Sequence, residues 1–567
     1  MIRVSGWFWL SAVLLPIGSP KSVRAQVPTL EHFYPVGALI GSTQMVQMIG
    51  SPGVWPPQVW VDSPGLTFRP QTNSGFFSVE LSPSASPGPH LVRIHNAEGA
   101  SATRFFIAAT EAQTAEIEPN DEFRKPQIIP ALPALVNGRL DKSGDVDSFA
   151  FELKDGQTLV ASLEAYVLAS PVDAVLRVLD PGNSQVALNH DDGVTFDPRV
   201  TWTAKTAGRY VVQVFGFAYP AGSDIRFSGG NSSVYRLHLS GGPVVSHTLP
   251  LGIVLGQAEP HTLVGWNLPI SPMLSTLGAP IGVADGRGMS LYRVAGVPSP
   301  FRALLGIGTE LLESESKTGT NAPLSLPVPG AITARIDRPG DEDRFRFRAE
   351  KGDRFWIEVK SASLGFALDA WLKVENAAGN ELVRNDDSNG ADPALEWVAP
   401  DTGEFLAVVG NLLHQGSESA LYRLSIEKPL PKASASVAAT SFVVKGGETN
   451  AVKVSIKRQY GHVAKLKVSL EASPDGLIAP AVDVEGKQSE ATLSWSTKPD
   501  VKPFSGPVRI RLADAEGRFL SQAIFSMVTA GTDNGVPNGF GRLLIESTSQ
   551  LWLNLTGTNP PSGGVKK

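Results

Sequence analysis

The chain has 567 residues, 42% of them hydrophobic, no cysteine and a formal net charge of −6. That length exceeds what one hydrophobic core fills and suggests about four or five domains of roughly 100–150 residues each. The lack of cysteine excludes disulfides, thiolate nucleophiles and Cys-ligated zinc, and the mild acidity argues against a nucleic-acid partner, which would leave a basic footprint.

Residues 1–25 read as a secretory signal. A positive start at Arg3 leads into the apolar run "VSGWFWLSAVLLPIG", and small residues at Val23 and Ala25 place cleavage before Gln26. The run is shorter than the ~20 apolar residues needed to cross a bilayer, so no integral span is expected after cleavage. Beyond it, 56 Gly and 44 Pro without a collagen-like period imply many tight turns, as in all-β proteins. The units expected are a small domain at 27–108, a large one at 115–241, a small one at 243–305, a large one at 310–428, a β-rich domain at 433–530, and C-terminal strands with a flexible tail at 531–567.

Strands dominate every unit. In 341–348, Asp341, Asp343, Phe345 and Phe347 share one parity, and Glu342, Arg344, Arg346 and Arg348 share the other. This period-2 pattern is a strand with one dry and one wet face. Further strands, "LVASLEA", "AVLRVLD", "YVVQVFG" and "VYRLHLS", are separated by turn signals such as "DPGN" and "KTAG". The fold class is therefore all-β, a tandem of antiparallel sandwiches.

The chain also repeats itself. "SGDVDSFAFELKDGQTL" (143–159) matches "PGDEDRFRFRAEKGDRF" (339–355) at an offset of 196, and the match carries on to Tyr235-Arg236-Leu237 against Tyr422-Arg423-Leu424 with only loop-length changes. Upstream of each copy, "HFYPVGALIG" (32–41) matches "HTLPLGIVLG" (247–256). The repeating unit is a pair of domains, small then large.

With "EIEPND", "GDVDSFAFELKDGQTL", "NHDDG", "AGRYVVQVFG" and "VYRLHL" in order, the duplicated large domain resembles the bacterial pre-peptidase C-terminal domain. The resemblance implies a jelly-roll-like β-sandwich of the kind appended to secreted peptidases or large envelope proteins. Some members bind calcium through the acidic segment before the first core strand. The small domains resemble immunoglobulin-like modules of the IPT/TIG type, residues 433–530 look generically Ig-like, and the whole arrangement is similar to modular exported planctomycete proteins.

The acidic segment of copy one is the main candidate site. In an extended strand Glu116, Glu118 and Asn120 point the same way, Asp121 follows at the turn, and Asp145 and Asp147 sit at the rim of a dry interior. Ca²⁺ takes six to eight oxygens, which carboxylates and an Asn carbonyl can supply, while converging carboxylates without a cation repel. The alternative is a solvated linker with the aspartates capping a turn, and the family resemblance favours one or two Ca²⁺. Copy two keeps Glu313, Glu315, Asp341 and Asp343 but has Lys317 and Thr318 where copy one has Asn120 and Asp121, so calcium there is expected to be weak or absent.

Catalytic motifs are missing: the sequence has no HExxH, G-x-S-x-G or P-loop. His32 and His247 are repeat-equivalent and read as structural, and His190 falls in a hairpin turn. Trp202 and Trp397 read as core. Alternation leaves Trp356 and Trp371 facing outward, and two such rings on one sheet would either cover a neighbouring domain or make a stacking platform for sugars or a protein partner. The expectation is a non-catalytic exported protein, periplasmic, cell-surface or extracellular. It would bind protein or polysaccharide of the envelope or extracellular matrix. The alternative is an accessory or substrate-binding chain of a secreted peptidase or polysaccharide-degrading system.

Overall fold

Short alternating segments broken by Gly, Pro and Asp turns can bury their apolar parity only by facing a second sheet, and the chain solves this five times. A computed structural model describes residues 26–557 except 193–195, 219–225, 255–259, 270–272, 275–279, 284–288, 307, 314–322, 388–391 and 529–543. The expected signal segment, the C-terminal tail from 558 onward, and Glu315, Lys317 and Thr318 of copy two lie outside the described residues. The protein is all-β, with separate apolar cores in each of five successive β-sandwich units.

The two large sandwiches have the same topology. In copy one, Gln113–Ala115, Ala134–Arg139, Val234–Ser240, Thr158–Glu164 and Arg199–Thr203 lie side by side in one five-stranded sheet. Gln127–Ile128, Asp147–Leu153, Gly208–Ala218, Val172–Leu179 and Gln185–Asn189 form the other. Copy two repeats both orders with its equivalent strands. Most pairs are antiparallel, but each sheet carries a short parallel strand at one edge, such as Gln113–Ala115 against Ala134–Arg139. The parallel edge brings the acidic segment beside the core strands. The small domains at the start of each pair also share a parallel edge, Gly37–Leu39 on Arg104–Ala109 and Gly252–Ile253 on Phe301–Leu305.

Alternation decides burial as expected: Phe149 and Phe151 in copy one, and Phe345 and Phe347 in copy two, point into their cores. Asp197 anchors copy one from within. Its Oδ1 accepts from the backbone N–H groups of Ala165 (2.8 Å) and Tyr166 (2.7 Å), and its Oδ2 accepts from Val167 (3.1 Å). Asp392 holds Ser361, Ala362 and Ser363 in the same way in copy two.

One open choice is settled and one expectation needs correction. The C-terminal strands complete the last domain, which runs past 530. Leu544–Thr548 pairs with Phe519–Val528, and Leu551–Thr556 inserts between Ser441–Lys445 and Phe504–Val508, placing Leu551, Leu553 and Leu555 in the fifth core. Trp356 and Trp371 do not share a sheet. Arg354–Lys360 and Ala370–Asn376 belong to opposite sheets of copy two, because the chain crosses the sandwich between them, so the two rings cannot line one platform. Trp356 lies edge-on to Tyr460 of the next domain at 5.8 Å, and Trp371 is buried beneath Arg384 (4.4 Å to the ring centre) and Lys373 (5.0 Å).

Candidate metal centre

The acidic segment enters the large sandwich along its parallel edge. The Glu116 N–H donates to Asn137 O (2.9 Å), which fixes the register, and the Ser148 N–H donates to Asn120 O (3.1 Å), which ties the end of the segment to the first core strand. Opposite, the loop before that strand folds back on itself. Gly144, at φ +87°, allows the reversal. The Asp141 N–H then donates to Asp145 Oδ2 at 2.6 Å. Asn120, Asp145 and Asp147 are all 0% exposed.

Their oxygens converge. Carboxylate atoms of Glu116, Glu118 and Asp147 lie within 4.8 Å of one another, and so do those of Glu118, Asp121 and Asp145. Glu118 is common to both groups. All six residues singled out in the sequence therefore come together, since Asn120 Nδ2 also donates to Glu116 Oε1 (3.2 Å) and its backbone N–H to Glu118 Oε2 (2.9 Å). Among the described residues, these two groups are the only clusters of three or more acidic or His side chains close enough to share an ion.

The inner and outer groups differ in how their charge is met. In the outer group the half-exposed Lys142 ammonium lies 3.2 Å from Asp121 and 3.2 Å from Asp145 Oδ1, and its own pKa is pushed up by those carboxylates. In the inner group Lys142 acts only on the shared Glu118, and among the described residues no ion pair reaches Glu116 or Asp147. There the Arg139 N–H donates to Glu116 Oε2 (2.7 Å) and the Tyr235 hydroxyl to Asp147 Oδ2 (2.6 Å), which still leaves Asp147 Oδ1 and Asn120 Oδ1 buried with no hydrogen-bond partner. Burial, with the Glu116 charge added, pushes Asp147 far above the usual carboxylate range, and burial raises Glu116 to about 7. Both shifts favour the neutral acids over the anions while no cation is bound.

The donor set fits a hard cation. Buried oxygens without partners are rare in folded proteins and call for a ligand, water or ion. Carboxylates plus an amide carbonyl are the ligands Ca²⁺ selects, and sulfur and nitrogen ligands are missing from the cluster.

Three contributors went unnoticed in the sequence. Tyr235 reaches Asp147 across Gly138, where a Cβ would collide with the phenol ring at 2.1 Å. Tyr422 makes the same 2.6 Å bond to Asp343 in copy two, so the repeated Tyr-Arg-Leu motif carried the signal. Lys142 likewise has a repeat-equivalent base, Arg338, 3.8 Å from Asp341. Arg139 stacks on Tyr34 of the preceding domain (4.8 Å), bringing the domain junction to the edge of the site. In copy two, Glu313 keeps the strand register of Glu116, its N–H donating to Thr333 O at 2.8 Å.

No family model matches the chain. A 90-residue stretch is 32% identical to a probable subtilase-type serine protease of Deinococcus radiodurans; it covers 16% of this chain and only 12% of that protein. Among solved structures, the fibronectin(III)-like modules of Clostridium thermocellum CbhA share 7% identity over 44% of this chain and 97% of theirs, with a TM-score of 0.13. Escherichia coli alpha-2-macroglobulin shares 11% identity over 94% of this chain and 53% of its own, at 0.15. The N-terminal four Ig domains of Dscam1 share 11% over 94% and 98%, at 0.17. Scores this low carry no argument. No helix among the described residues is long and apolar enough to cross a membrane.

Proposed function

We propose that this chain is a non-catalytic, exported, multidomain binding or structural protein whose first large sandwich is stiffened by calcium. It would act in adhesion, envelope architecture or partner binding. The observation that carries the metal reading is the inner group: two buried oxygens, Asn120 Oδ1 and Asp147 Oδ1, have no hydrogen-bond partner among the described residues and sit among converging carboxylates. When bound, calcium would supply the charge this cluster lacks. Glu116, Glu118, Asn120 and Asp147 would hold it, with Asp121 and Asp145 available at the outer group once Lys142 swings away. Copy two, with Lys317 and Thr318 replacing the amide and one carboxylate, is assigned weak or no binding.

A second reading, an accessory chain of a secreted peptidase, is favoured by the 90-residue similarity to the subtilase-type protease. The test of the first is calorimetric titration of the chelator-treated mature chain with calcium. Binding that disappears entirely in Asp147→Asn supports it. Full binding in that variant, or none in the wild type, rejects it.

A further inference from the structure

Strand alternation leaves an anomaly at the C-terminus. In Leu551–Thr556 the odd residues Leu551, Leu553 and Leu555 fill the fifth core, so Trp552 and Asn554 must face away from it. Yet Trp552 is 2% exposed and Asn554 is 0% exposed. A second sheet covers them, and it belongs to the first domain. Asn554 Nδ2 donates to Ala97 O at 3.3 Å, and Trp552 packs on His95 (4.5 Å between ring centres) and Trp60 (6.2 Å). Arg93 lies between the two tryptophans, 5.4 Å from each ring.

Arg93 repeats the anomaly from the other side. Its neighbours Val92 and Ile94 fill the first core, so its side chain points outward, yet it is 0% exposed. None of its three guanidinium nitrogens has a hydrogen-bond partner. Among the described residues its compensation is the pair of aromatic faces, one from each end of the chain.

We propose that the first and fifth domains form an intrachain clasp that closes the five sandwiches into a ring. Each sequential joint is also packed. Val36 and Ile49 meet Leu168 and Val234 between the first and second domains. Asn267 Nδ2 donates to Thr158 O (2.8 Å) between the second and third, and the Leu251 N–H to Thr333 Oγ1 (2.8 Å) between the third and fourth. Trp356 on Tyr460 joins the fourth to the fifth. The terminal joint differs from these because no short linker holds it together and because it buries a cation that has no counter-charge among the described residues.

The chain has no native cysteine, so two introduced thiols report without interference. Glu98→Cys adjoins Ala97, and Val443→Cys is the register partner of Asn554; both positions are exposed. A short bismaleimide added to this double variant of the full mature chain should give intrachain cross-linked monomer. Adding Trp552→Ala should slow that reaction at least ten-fold and raise the radius of gyration in small-angle scattering. Trp60→Ala, on the first-domain side, should do the same and guards against a misfolded fifth domain. Cross-linking unaffected by both aromatic substitutions, or cross-links that form only between chains, would overturn the proposal.

Discussion

Replacing Asp147 by asparagine separates a metal ligand from a purely structural acid, because the two roles predict opposite signs. Without metal, Asp147 is buried, its neutral form is favoured by burial and by the Glu116 charge, and it accepts from Tyr235 Oη at 2.6 Å. An amide of the same shape still accepts that bond and can donate toward Glu116, so the metal-free variant should match the wild type to within about 1 kcal/mol or exceed it. With calcium at a hundred times its dissociation constant, the wild type should gain about 2.7 kcal/mol. For a domain of this size that is a rise of roughly 10 °C in its unfolding midpoint. The variant should lose most of this rise. The assay is differential scanning calorimetry of both proteins in chelator and in calcium, following the transition assigned to the second domain. A wild type indifferent to calcium removes the metal. A metal-free variant several kcal/mol weaker than the wild type shows that Asp147 serves the fold, and the ligand assignment fails.

Removing Asp197 orphans three N–H donors, two buried and one half-buried. Asp197→Ala should therefore cost about 3–5 kcal/mol, seen as a lowered urea midpoint, and Asp197→Asn about half as much. His32 is 4% exposed at the first junction, and burial, aided by Arg104, lowers its pKa to about 4; burial does the same to His247 at the third junction. A depressed folded-state pKa means the unfolded chain binds the proton first, so this stability is complete above about pH 6.5 and is lost as pH falls toward 4. The loss at His32 is on the order of 3 kcal/mol, and His32→Gln should flatten the acid limb of the stability curve by that amount. An unchanged slope would show that His32 does not govern it.

Much of this architecture was legible because it depends on period and repetition. The parity of Phe149 with Phe151, and of Phe345 with Phe347, placed the cores, and the constant offset between the two GDxD segments exposed the duplication. The six oxygen-bearing residues of the candidate site were legible for a related reason: four fall within the six-residue stretch 116–121 and two lie at the mouth of a core strand. What stayed hidden depends on long-range placement. Parity said correctly that Trp356 and Trp371 face out of their core, but parity cannot say which sheet a strand joins, and a crossover put the rings on opposite faces. Tyr235 and Lys142 reach the site from 88 and 21 residues away in sequence, over Gly138 in the first case. Local pattern has no access to such distances.

The same limit explains the clasp. Trp552 and Asn554 carry the wet parity of their strand, and composition gave only a weak hint, a tryptophan where a charged residue would be ordinary. Their burial makes sense only with Trp60 and Arg93, which lie more than four hundred residues earlier, and Arg93 breaks its own strand's parity too. Two strands that violate alternation separately satisfy it together, because each supplies the second sheet the other's outer face lacks. A buried residue on a strand's wet parity is thus evidence for a domain contact before any partner is identified. Here both exceptions point to the same seam.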